Sequence, residues 1–308
     1  MCFFGVTALF GQTKKVVALD GSGDFTTVQA AINSVPDGNH SPVIIYIRKG
    51  TYKERITIPT AKTFIHFIGE DLSSTILTFN NYASKKDSVG NNFGTTGSSS
   101  VFVDADNISF ENLTFENSSG PVGQAVAVNI TGNQIAFRHC RFLGFQDTLY
   151  TKGATLQYYK DCYIEGTVDF IFGAASAVFD RCTLHSKGRG GPVTAASTPE
   201  SAAFGYVFLD CTLTADAPPG SVVLGRPWRP FAKTVFIHCK MGEHVNPAGW
   251  NNWSKPANEK TAFYAEYKSS GKGSDATNRV TWSRQLTDEE AKQYTLKNIF
   301  GEWKPFDF

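Results

Sequence analysis

The sequence predicts an all-β chain wound into a parallel β-solenoid, with short helical covers at its ends. Three observations predict it. A hydrophobic motif recurs at intervals of 20 to 29 residues. The repeat units are rich in β-branched, aromatic and small residues, with Gly- and Asn-rich turns between them. Few amphipathic helical patterns interrupt the middle of the chain.

From the N-terminus, Met1–Gly11 are apolar and small and precede Gln12-Thr13-Lys14-Lys15. They read as the end of a secretory signal peptide. Residues 1–15 then lie outside the fold, and 16–308 form one domain of a secreted or periplasmic protein. The alternative is a buried first strand. Next, Thr26–Asn33 reads as a short helix capped by Thr26 or Thr27, with Val28, Ala31, Ile32 and Val35 as its buried stripe.

The repeat follows. Five segments share aromatic-x-x-Cys-x-apolar, beginning at Phe137, Tyr159, Phe179, Phe208 and Phe236. A sixth, Phe110-x-x-Leu113-x-Phe115, has Leu in place of Cys. Central positions are separated by 27, 22, 20, 29 and 28 residues. Units this short cannot fold alone, so each must stack on the last. Equivalent residues then form columns at the strand spacing of about 4.8 Å. The cysteines read as a column of small core residues. A disulfide such as Cys162–Cys182 is within reach of that spacing. Near the C-terminus, Leu286–Tyr294 reads as a capped helix with acids in its first turn, a second end cover.

Composition excludes several classes. Net charge is +1 and Lys and Arg are scattered, which gives no support for a nucleic-acid partner. No run of 18 apolar residues exists, so no membrane span is expected. The six histidines are isolated and no Cys-x-x-Cys pair exists, so neither metal nor organic cofactor is expected. A monomer is expected.

Two coils carry candidate chemistry. Asp147 lies seven residues after Cys140, and Asp169 seven after Cys162. Gly144 and Gly166 share an offset of four. The two aspartates should therefore stack on one face, about 5 Å apart. A solenoid has no structural need for stacked like charges. Repulsion should raise one pKa and leave the other group ionised, giving an acid beside a base or nucleophile. Arg226, in Leu224-Gly225-Arg226-Pro227-Trp228, is a candidate counter-charge that can orient a carboxylate through two hydrogen bonds. Trp228 offers a flat face for a sugar.

Five motifs in order resemble the pectin methylesterase (pectinesterase) family, carbohydrate esterase family 8. They are Gly50-Thr51-Tyr52-Lys53-Glu54, Gln124-Ala125-Val126-Ala127-Val128, Gln146-Asp147-Thr148-Leu149, Gly166–Gly173 and Leu224–Trp228. The match runs from about Val17 to Trp303. Two segments, Gly94–Ser99 and Arg284–Asp288, look more bacterial than plant. The resemblance implies a right-handed, single-stranded parallel β-helix acting on methyl-esterified homogalacturonan. It implies Asp169 as nucleophile, Asp147 as general acid and later base, and Gln124 and Gln146 as oxyanion stabilisers. Arg226 matches the arginine that holds the nucleophile. Trp228 matches a substrate-contacting aromatic, Thr95 a substrate-contacting threonine, and Tyr150, Phe170 and Trp250 further cleft aromatics.

Two rival readings remain at this level. A polygalacturonase or pectate lyase could use the same fold, but no Asp-Asp dipeptide, Gly-His-Gly or calcium-type acidic cluster is present. A non-catalytic polysaccharide-binding solenoid would have no need of Asp147, Asp169, Arg226 and both glutamines together.

Overall fold

Each coil of the chain turns through three strands. In the computed structural model, which describes residues 13–307, these strands build three parallel sheets of eleven, eight and seven strands. One turn illustrates the path. Ile135–Arg138 lies in the eleven-stranded sheet, Arg141–Leu143 in the eight-stranded sheet and Leu149–Thr151 in the seven-stranded sheet. Leu156–Lys160 then returns to the first sheet, beside the strand where the turn began. The fold is the parallel β-helix that the repeat predicted, right-handed as the resemblance implied.

The Cys motif sits at the corner between the first two of these strands. The residue before each central position adopts a left-handed backbone: Asn112, His139, Asp161, Arg181, Asp210 and His238, with φ of 49–55°. That conformation is costly for His and Arg. It is held by the ladder, because each corner amide donates to a carbonyl of the next coil; His139 N–H to Lys160 O is 3.0 Å. The following Cys turns inward. Its Sγ lies 3.2–3.7 Å from a carbonyl of the preceding coil in all five repeats. All five thiols are buried and free, so the Cys162–Cys182 bridge is not formed. Burial pushes the Cys162 and Cys182 thiols well above their ordinary range, which keeps them inert.

The aromatic position of the motif forms the spine of the core. Phe67, Phe110, Phe137, Tyr159, Phe179, Phe208 and Phe236 stack in sequence, with centroids 4.3–5.0 Å apart. The spacing is that of strands, so the sheet ladder sets the stacking. Phe179 is fully buried between Tyr159 and Phe208. Phe179→Ala should cost about 3–5 kcal/mol, read as a lower urea unfolding midpoint. An unchanged midpoint would mean the spine contributes little.

The N-terminal cover is as expected. A helix at Val28–Asn33 is capped by Thr27 and buries Val28, Ala31 and Ile32. Glu54, from the first family motif, accepts from the Val28 and Gln29 amides at 2.8 and 3.1 Å. Its carboxylate satisfies two orphan donors at the positive helix end. The domain starts earlier than residue 16. Thr13–Val17 pairs in parallel with Val43–Ile47, so Thr13, Lys14 and Lys15 belong to the first strand. Residues 1–12 of the proposed leader lie outside the described residues.

The C-terminal cover differs from expectation. A helix does form at Asp288–Ala291, with a capping box between Thr287 and Glu290. Leu296–Phe300 adds a second one that sequence reasoning missed. Neither closes the solenoid end. Ile299 and Phe300 pack on Ala136, Tyr158, Val178 and Val207, the outward row of the eleven-stranded sheet. That row is apolar on its solvent side, and the returning chain buries it.

Candidate active site

The loops entering the seven-stranded sheet bring the predicted residues together. Gln124 and Gln146 form a parallel bridge on adjacent coils. One residue on, the Asp147 amide donates to Val168 O at 3.1 Å. The Asp169 amide donates to Pro192 O at 2.7 Å. Leu149 pairs with Ile171, so Asp147 and Asp169 occupy one register column, as the equal offsets predicted. Their backbones are therefore about 4.8 Å apart. Gly166 permits that approach. A Cβ there would lie 2.2 Å from Phe170 Cβ and 2.5 Å from Phe145 O.

Both aspartates have left-handed backbones, φ 67° for Asp147 and 51° for Asp169. Asp tolerates this conformation better than most residues, yet it remains strained. The kink turns both carboxyl groups out of the strand pleat into a cleft of about 260 Å³. Both are nonetheless almost fully buried.

Their surroundings differ sharply. Arg226 lies two coils beyond Asp169, with its amide on Thr194 O at 2.9 Å. Its guanidinium reaches back to Asp169: Nε to Oδ1 is 2.9 Å and the NH2 group to Oδ2 is 2.6 Å. This two-point fork fixes the carboxylate in plane. Burial pushes the Asp169 carboxyl upward, and Arg226 opposes that rise. Among the described residues, no cation forms an ion pair with Asp147. Burial, then the charge of Asp169, pushes it up to about 7. The Gln124 amide donates to Asp147 Oδ2 at 2.9 Å and, with Arg226 and Gln146, pulls the other way. Two stacked carboxyls are thus divided by environment into a held carboxylate and a protonated acid.

The cleft walls are aromatic. Tyr150 and Phe172 face outward and stack at 4.1 Å, and Trp228 leans over both at 6.3 and 6.0 Å. Thr95 also lines the cleft, from a short helix at Gly94–Gly97. That helix is anchored by Asn117, whose amide donates to the Asn81, Ser98 and Val126 carbonyls.

Two predicted cleft aromatics are misplaced. Phe170 is 0% exposed and belongs to the main core. The kink at Asp169 turns it inward, and Phe172 takes the outward place. Trp250 is 2% exposed and packs on Tyr264 and Phe236. The second tryptophan in the cleft, beside Trp228, is Trp253, which sequence reasoning missed. Its ring lies 3.7 Å from the Arg226 guanidinium, a cation–π contact that limits the swing of the arginine.

Comparison with known proteins bears on this arrangement. The family model Pectinesterase matches residues 14–302. The chain belongs to the pectinesterase family. This pectinesterase is 43% identical to Pectinesterase 31 of Arabidopsis thaliana, over 90% of its own length and 89% of that protein. It superposes on the pectin methylesterase of Erwinia chrysanthemi with a TM-score of 0.85 at 30% identity, covering 96% and 99% of the two chains. A pectin methylesterase in complex with a hexasaccharide matches with TM-score 0.84 at 31% identity, covering 96% and 99%. The proteins it is similar to thus include both plant and bacterial ones. It is a carboxylic ester hydrolase, and its reaction is removal of methyl groups from pectin. The polygalacturonase, lyase and pure-binder readings are set aside. Among the described residues, no helix is long and apolar enough to cross a membrane.

Proposed function

We propose that Asp169 is the nucleophile and Asp147 the proton shuttle in the demethylation of homogalacturonan. The single observation that carries this division is the two-point Arg226 fork, which holds Asp169 and not Asp147. An Asp169 oxygen attacks the carbonyl carbon of a galacturonate methyl ester. The carbonyl π pair moves onto oxygen, giving a tetrahedral oxyanion. Gln124 and Gln146 stabilise it. An amide NH2 has two hydrogens, so Gln124 can keep Asp147 and still donate to the oxyanion. The oxyanion collapses and the bond to methoxide breaks. Protonated Asp147 supplies the proton, and methanol leaves. A mixed anhydride joins Asp169 to the uronic acid. Ionised Asp147 then takes a proton from water, whose oxygen attacks the uronyl carbon. Asp169 departs as a carboxylate and Asp147 is again protonated. No cofactor enters these steps.

Tyr150, Phe172, Trp228 and Trp253 supply apolar faces for the sugar rings, with Thr95 as a polar contact. The acting unit in this proposal is a monomer. The substrate is a polymer too large to enter a cell, which favours an exported enzyme.

The products test the reaction. Incubation with highly methylated pectin should release methanol with no new reducing ends and no unsaturated uronide. New ends without methanol would contradict it. The oxyanion role has its own test. Gln124→Ala should lower kcat by roughly 10²–10³ while KM changes little. A rise confined to KM would make Gln124 a binding residue instead.

A further inference from the structure

A second concavity, of about 670 Å³, lies away from the catalytic cleft. It sits where coils turn from the seven-stranded sheet into the eleven-stranded one. Phe64, Asn107 and Gln134 form one wall. Each immediately precedes a strand, and Ile65, Ile108 and Ile135 pair in register, so the three are rungs of one ladder. All three have left-handed backbones, with φ of 54°, 57° and 60°. The opposite wall is the returning C-terminal segment, which presents Trp303 and Phe306. Phe306 is anchored between Tyr158 and the Arg138 guanidinium.

We propose that this groove is a second pectin-binding site, which holds a methyl-esterified stretch of the polymer while another stretch occupies the catalytic cleft. This goes beyond the catalytic reading but rests on its choice of substrate. Among the described residues, the side-chain amides of Asn107 and Gln134 have no hydrogen-bond partner. Each offers two donors and one acceptor, which suits sugar hydroxyls and ester carbonyls. They stand one strand spacing apart, about 4.8 Å, close to the advance of one sugar ring along an extended polysaccharide. Phe64 and Trp303 provide apolar faces on either side. The volume falls within the range of about 300–1,000 Å³ typical of ligand sites.

Charge selects the esterified form. Glu302 and Asp307 line the groove, and Lys304 is the one Lys or Arg that lines it with them. A polyanionic, de-esterified chain gains no attraction there, whereas a neutral ester stretch keeps every contact. Binding at two places on one chain raises the effective concentration of substrate at the cleft. The groove would therefore keep the enzyme on esterified regions and release it from finished ones.

The double variant Asn107→Gly/Gln134→Gly tests this. Glycine keeps the left-handed backbone and removes both amides. Its KM for highly methylated pectin should rise roughly fivefold or more, with kcat unchanged. Its KM for a methyl-esterified oligogalacturonide too short to span both sites should equal that of the wild type. In affinity electrophoresis, highly methylated pectin should retard the wild type more than the variant, and polygalacturonate should retard both alike. An unchanged KM on the polymer, or an equal loss on polymer and oligomer, would overturn the second site. A wild type that released no methanol from either substrate would instead overturn the pectinesterase reading.

Discussion

Asp169→Asn should reduce methanol release by about four orders of magnitude or more, since an amide is not a nucleophile. The fold should survive the change. Asn accepts a left-handed backbone as readily as Asp, so the kink that aims position 169 is kept. The Asn carbonyl can still accept from Arg226 Nε, while the second arm of the fork loses its acceptor. Trp253 still stacks on the guanidinium. Circular dichroism and the unfolding midpoint should therefore stay near wild type while turnover is lost. A variant that kept more than a few per cent of wild-type turnover would mean that water attacks directly and that Asp169 only orients it.

Asp147→Asn should lose roughly 10²–10⁴ in kcat, the usual contribution of a general acid. It should also change how the enzyme responds to pH. The folded-state pKa of Asp147, about 7, lies above its ordinary 3.8. The folded protein thus binds this proton more tightly than the unfolded chain does. The stability this supplies is fully present below pH 4 and is lost as pH rises from about 4 to about 7. At about 1.4 kcal/mol per pH unit the loss is on the order of 4 kcal/mol. Asn carries no charge to desolvate and can still accept from Gln124. The variant should therefore unfold at a higher midpoint than wild type at pH 8 and at a similar one at pH 4. In the wild type, kcat/KM should fall tenfold per pH unit above about 7, because the acid that protonates methoxide is lost. Equal midpoints for wild type and variant at pH 8 would show that Asp147 bears no such burden.

Much of this architecture is legible in the sequence because a solenoid converts sequence offsets into spatial columns. Equal distances from Cys140 and Cys162 put Asp147 and Asp169 in one column. The same arithmetic finds the outward aromatic pair. Tyr150 lies three residues after Asp147 and Phe172 three after Asp169, and these two stack. Phe170 attracts attention by adjacency to Asp169, but the left-handed kink turns it inward. Trp253 has no such signal. It follows the Gly225-Arg226-Pro227-Trp228 coil in an irregular loop, where no repeat fixes its direction, and Trp250, three residues earlier, is the buried one. The helix at Asp288–Ala291 is legible from its capping box, whereas the helix at Leu296–Phe300 and its docking place are not. Only the outward apolar row of Ala136, Tyr158, Val178 and Val207 reveals where it must lie, and that row is spread over four coils.

The central claim is that environment alone divides two stacked aspartates, leaving Asp147 protonated beside the carboxylate that Arg226 holds. Infrared titration of the carboxylic C=O stretch addresses it directly. Among 28 acidic side chains, one protonated band should persist to about pH 7 in the wild type. It should vanish in Asp147→Asn. In Asp169→Asn it should remain but titrate lower, because one of its causes, the neighbouring charge, is gone. A band that survived in Asp147→Asn and disappeared in Asp169→Asn would reverse the two roles.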